Sequence, residues 1–128
     1  VIGVDVSNLS HQDITADVHS LPFKDSFFDI AVAFAILEHC KRPYDAMLEW
    51  LRIADIIILW TDIPLTSESE GDDTHLYCWS VFLLSNLLRE ISKEVSIKYS
   101  VGELLGCVVS AIIQKKESAR AKHNSFVA

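Results

Sequence analysis

The stretch Ala16-Asp-Val-His-Ser-Leu-Pro-Phe-Lys-Asp-Ser-Phe-Phe-Asp-Ile30 decides the fold, together with its continuation through Ala31-Val-Ala-Phe-Ala-Ile36, Leu37-Glu-His39 and Pro43-Tyr-Asp-Ala-Met-Leu-Glu49. It reads as a polar turn region, an apolar run, a short connection and a helix. Leu21-Pro22-Phe23 closes a turn, since proline presets φ there. The run from Asp29 to Ile36 is nearly continuously apolar, which predicts a strand buried on both faces, as strands of parallel sheets are. Pro43 occupies the first helical position. Tyr44, Met47, Leu48 and Leu51 follow at i, i+3, i+4 and i+7, setting one apolar stripe against the sheet.

Working outward, Val1–Val6, a short segment near Asp13–Ala16, Asp55–Thr61, Glu94–Val101 and Leu104–Lys115 complete six expected strands. Asp55–Thr61 (Ile-Ile-Ile-Leu-Trp inside) is again expected to be covered on both faces. Ser80 is the N-cap of a second helix whose buried stripe is Leu83, Leu84, Leu87, Leu88 and Ile91. The polar stretch Pro64–Thr74, with the acids Glu68, Glu70, Asp72 and Asp73, demands a loop, and a loop of that length is functional or mobile. Residues 117–128 show no apolar period and read as a flexible tail after one domain over 1–116. The class is α/β: a mostly parallel sheet with helices, closed by an antiparallel hairpin.

Composition narrows the function. The chain has 128 residues, 50% hydrophobic, with a formal net charge of −7. Its acidic balance, pI ≈ 5.1, opposes binding to nucleic acid or an anionic membrane surface. The longest apolar run, Ile30 to Leu37, falls well below the roughly 20 residues of a membrane span. Cys40, Cys78 and Cys107 are odd in number and lack CxxC spacing, so no disulfide framework is expected and a cytoplasmic setting is the default. His75-x-x-Cys78 offers two ligands without a partner pair, short of a tetrahedral zinc site, so no metal is expected.

The stretch quoted above resembles the class I S-adenosylmethionine-dependent methyltransferases, in particular their type 11 group. The shared pattern is an acid after a strand, then A-D-x-x-x-L-P-F-x-D-x-S-F-D, an apolar strand, L-E-H, a proline and a helix. The resemblance implies a Rossmann-like three-layer sandwich and methyl transfer from S-adenosylmethionine to an acceptor, expected to be a small molecule. Asp5, at the carboxyl end of the first strand, is then placed on the ribose; an acid there can accept both hydroxyl protons. Asp17 and the backbone of Val18 fall on the adenine, with Leu21 in the apolar turn beside it. Ala35 and Leu37 fall on the wall beside the sulfonium. His39, Asp62 and His75 are the candidate acceptor-side bases, wanted only if the acceptor must lose a proton. Each of these residues also has a plain structural reading: a turn cap for Asp5, Asp17, His39 and Asp62, and packing for His75. Trp60 and Trp79 are expected in the core.

One feature of that family has no counterpart. Its glycine-rich loop after the first strand is missing: the four glycines stand at 3, 71, 102 and 106. Val1-Ile-Gly-Val-Asp-Val6 opens the chain inside an apolar run, so the family's first strand is expected to be absent. Losing two charge-assisted hydrogen bonds at roughly 1.5–3 kcal/mol each weakens cofactor binding by about 10²–10⁴. That strand is central in the family order, which leaves an open sheet edge. The alternative expectation is therefore a non-catalytic subunit that associates with itself or another chain through that edge.

Overall fold

A computed structural model describes residues 1–7, 12–63 and 75–116. The acidic loop residues Glu68, Glu70, Asp72 and Asp73, and the tail 117–128, lie outside the described residues. Six strands and two α-helices appear in the order β1 (Val4–Asp5), β2 (Ile14–Thr15), β3 (Phe28–Phe34), α1 (Pro43–Ile53), β4 (Ala54–Asp62), α2 (Val81–Ile91), β5 (Ile97–Leu104) and β6 (Val108–Lys115). A single 3-10 turn, Leu37–His39, links β3 to α1.

The strands form two sheets, a parallel pair β1-β2 and a four-stranded sheet in the order β3-β4-β6-β5. β3 and β4 are parallel, with Val32 opposite Ile58 and Phe34 opposite Trp60. β6 runs antiparallel to both β4 and β5. No strand pairs with the second edge of β3, or with the second edge of β1, among the described residues.

Both helices lie where the periodicity puts them. Pro43 opens α1, whose buried side is Ala46, Met47, Trp50, Leu51 and Ile53. The Ser80 hydroxyl accepts from the Leu83 amide at 3.2 Å, capping α2. Leu84, Leu88 and Ile91 are buried, at i, i+4 and i+7, whereas Leu83 is turned to solvent, unlike the expected stripe. The two helices pack on each other and cover one face of the sheet, whose inward side chains include Ala33, Ile57, Leu59, Val109, Ala111 and Ile113.

Several expected boundaries move, each for a local reason. β3 ends at Phe34 because Ala35 takes φ 49°, the left-handed region. β5 begins three residues later than expected, since the Glu94 and Val95 amides still bond to the Ile91 carbonyl at the end of α2. β6 begins at Val108 because Leu105 (φ 58°) and Gly106 (φ 69°) make the hairpin turn. Glycine takes that conformation without steric cost. The first strand shrinks to Val4–Asp5, the length over which Ile14–Thr15 pairs with it.

The largest correction concerns coverage. β3 and β4 were expected to be buried on both faces, and one face is bare. Ile30, Val32 and Phe34 on β3 and Ile58 and Trp60 on β4 are exposed. Trp60 is thus not a core residue; it meets Phe34 edge to face at 4.8 Å on the open surface. Trp79 is buried as expected.

Candidate active site

The carboxyl ends of β1, β3 and β4 are where an open α/β sheet binds ligands. Between β1 and β3 lies a cleft of about 670 Å³. Consecutive β3 residues from Ile30 to Phe34 line it, with Val1 and Val4 opposite. Residues of both parities on one strand mark an edge, since a strand's face would show alternate residues only. The cleft is thus a slot along the unpaired side of β3, walled throughout by apolar side chains.

Of the adenosine-side candidates, Val18 and Leu21 line this slot, while Asp5 and Asp17 each follow or precede a lining residue in the chain. Asp5 ends β1, half-buried, with Oδ1 accepting from the Ser7 amide at 2.7 Å. Asp17 accepts from the His19 amide at 2.9 Å and contacts its ring Nδ1 at 2.6 Å. These bonds, the backbone one foremost, hold its carboxyl below the usual aspartate range. Val18 and Leu21 both line the cleft. Their positions are fixed from α1: Trp50 Nε1 donates to the Val18 carbonyl at 3.1 Å, and Glu49 accepts from the Leu21 amide at 2.7 Å. Arg52 donates to the Leu21 and Phe23 carbonyls at 3.1 and 2.7 Å. A Glu49–Arg52 pair three residues apart on a helix is the sequence signal that this clamp offered.

On the acceptor side the candidates divide. Ala35 is half-buried, its amide bonded to the Trp60 carbonyl at 2.8 Å. Leu37 has no accessible surface and belongs to the core, so it cannot form a wall facing ligand. His39 and His75 come together, ring centroids 4.6 Å apart. Asp62 ends β4 opposite Val108, exposed, outside that cluster. The cluster's third member is Glu38, which the resemblance puts on the wall beside the sulfonium without a chemical role of its own. Its side chain is 1% exposed, its Oε2 accepts from Thr61 Oγ1 at 2.7 Å, and its Oε1 has no partner. An acid and a threonine inside otherwise apolar runs were the available signals, and only the tertiary fold joins them. Nearby Cys40 donates to the Ile36 carbonyl at 3.3 Å, and its thiol is pushed up to about 11, chiefly by burial and further by the Glu38 carboxylate.

Residues 1–55 match the family described as "Methyltransferase domain". They span β1 through α1 and carry the whole of the stretch that fixed the fold. That match covers under half of the chain, and over it the chain is similar to this family. No curated protein matches it by sequence. Among solved structures it is similar to a SAM-dependent methyltransferase of Thermotoga maritima, at TM-score 0.62 and 18% identity, covering 80% of this chain and 63% of that one. It is also similar to the cyclase SpnF, at TM-score 0.59 and 16% identity, covering 82% and 56% of the two chains. The N-terminal domain of EvdMO1 with SAH bound aligns at TM-score 0.52 and 14% identity, covering 81% and 53%. The chain thus spans under two-thirds of the length of these three structures. At such identities the likeness speaks to the methyltransferase fold, and the presence of a cyclase shows that this fold does not fix the reaction.

No helix among the described residues is long and apolar enough to cross a membrane.

Proposed function

We propose that this chain takes part in S-adenosylmethionine-dependent methyl transfer to a small-molecule acceptor. Asp5, Asp17, Val18 and Leu21 attend the adenosine half, and His39, Asp62 and His75 face the acceptor. The observation that carries this reading is the family match over residues 1–55, which runs from the strand ending on Asp5 through the clamp that sets Val18 and Leu21. S-adenosylmethionine supplies the methyl group itself, so the protein's share is to bind, align and exclude water.

The described residues fit only part of that cofactor. Two carboxylates suit a ribose and an adenine amino group. The cleft beside them presents apolar side chains alone, with nothing for the carboxylate and ammonium of the methionine half. Those groups need donors from outside the described residues, and no step of the transfer is assigned to this chain by itself.

Calorimetry with S-adenosylmethionine and its demethylated product tests the reading. Weak, millimolar binding that Asp5→Ala abolishes is the expected result. Equal binding by the Asp5→Ala variant removes the ribose assignment, and no heat at millimolar ligand sinks cofactor binding by the chain alone.

A second reading rests on the open edge of β3 and the bare face beside it: a non-catalytic subunit that associates with its own kind. Sedimentation equilibrium separates the two. A concentration-dependent dimer that binds no cofactor favours the subunit, and a strict monomer excludes it.

A further inference from the structure

We propose that Glu38, His39 and His75 form a binding site for one borderline divalent cation, of the zinc, cobalt or ferrous class, at the carboxyl end of β3. This goes beyond methyl transfer and does not depend on it. One ligand atom from each residue lies within 4.8 Å of the others. Around an ion with bonds of about 2.0–2.2 Å, ligand atoms sit roughly 3–3.5 Å apart. The remaining distance is closed by side-chain rotation, which exposed His75 and half-buried His39 can make.

The segment carrying His75 is already tied to the turn carrying the other two. Leu76 and Tyr77 donate their amides to the Glu38 carbonyl at 2.8 and 3.3 Å. Residues distant in sequence are thereby held at one place before any ion arrives. Glu38 adds an independent observation. Thr61 fixes its Oε2, as outer partners fix metal-binding carboxylates, while its Oε1 is buried with no hydrogen-bond partner. Leaving a carboxylate oxygen in that state costs stability, and a cation coordinated by Oε1 removes the cost. Only one other buried side-chain polar atom among the described residues, Trp79 Nε1, is in that condition.

The donor set selects the ion. Two imidazoles and one carboxylate suit zinc, cobalt or iron, whereas magnesium and calcium prefer all-oxygen shells. Three protein ligands also leave coordination positions open for water or an oxygen of an acceptor. Neither Cys40 nor Cys78 belongs to the set.

Cobalt(II) titration of the full chain, read from its visible ligand-field bands, decides the matter. One equivalent should bind, and excess magnesium should not displace it. His75→Ala removes an exposed ring and should leave the chain folded, as its unfolding transition checks. It should weaken cobalt binding by about 100-fold or more, beyond the 10–100-fold typical of losing an outer partner. His39→Ala should do the same, and Thr61→Val, as a positioning change, should fall within that smaller range. His19→Ala and Cys78→Ser should leave affinity and spectrum unaltered. The site is overturned if no band appears at millimolar cobalt, if both histidine variants bind as the parent does, or if Cys78→Ser abolishes the signal.

Discussion

The two faces of the four-stranded sheet are built from equally apolar strands, yet one is packed and the other open. On the covered side Ala33, Leu59 and Ala111 form one cross-strand row, with Ile57 and Ile113 in the next, all beneath α1 and α2. On the bare side Val32, Ile58 and Ile112 form a row, and Phe34 and Trp60 another that ends on Ser110. The bare face is most apolar on β3 and β4 and gives way to Ser110 and Gln114 on β6. Alternation alone explains the β6 side, which can face water. It does not explain β3, whose exposed residues have the character of a covered strand. Burying one such Val, Ile or Phe side chain contributes about 1.5–3 kcal/mol. The contrast therefore locates where unused association energy lies: beside the unpaired edge of β3 and its cleft.

Truncation should expose the difference directly. Leu88→Ala, fully buried in α2, should lower stability by about 2–5 kcal/mol in urea unfolding. The next largest effect should come from Arg52→Ala, on the helix that covers the sheet, which releases the Leu21 and Phe23 carbonyls and unpairs Glu49. Arg52, together with the Leu21 amide, holds the Glu49 carboxyl below its ordinary range. A carboxyl depressed on folding stabilises above its unfolded pKa, and that gain is lost as pH falls through the folded value. The unfolding midpoint of the parent should fall across that window, and the Arg52→Ala variant should lose less there; parallel pH profiles would remove the pair from the account.

Smaller effects follow. Ser80→Ala should cost about 1 kcal/mol by uncapping the helix that covers the sheet, visible as a shifted urea midpoint with unchanged slope. Val32→Ala, on the bare side at 69% exposure, should stay within about 0.5 kcal/mol. If Val32→Ala costs as much as Leu88→Ala, something covers that face in solution, and the loss should then grow with protein concentration. The double variant Val32→Lys, Ile112→Lys sharpens this further: it should reduce binding of a hydrophobic dye and any dimer seen in sedimentation while leaving the monomer folded.

Much of this was legible from local pattern. Pro43 and Ser80 marked their helix starts because both signals act through the backbone of the next few residues. The apolar runs marked β3 and β4 and the paired runs marked the hairpin, but its turn, expected between Val101 and Leu104, falls at Leu105-Gly106. Among the candidate site residues, Val18 and Leu21 line the cleft and His39 meets His75, through contacts that no local pattern carries. Leu37 misled because a residue following a strand can turn toward ligand or toward core, and the 3-10 turn sends it inward. The pairing of Glu38 was not legible because its partners Thr61 and His75 belong to other segments.

By itself, then, the sequence determined the elements, their order, the acidic surface and the methyltransferase likeness, because each rests on spacing within a short window. Tertiary structure alone decided which face of each strand is covered, that β1 and β3 flank an apolar slot, and that a buried carboxylate stands beside two histidines. Those facts depend on contacts between residues far apart in the chain, where no local periodicity carries the information.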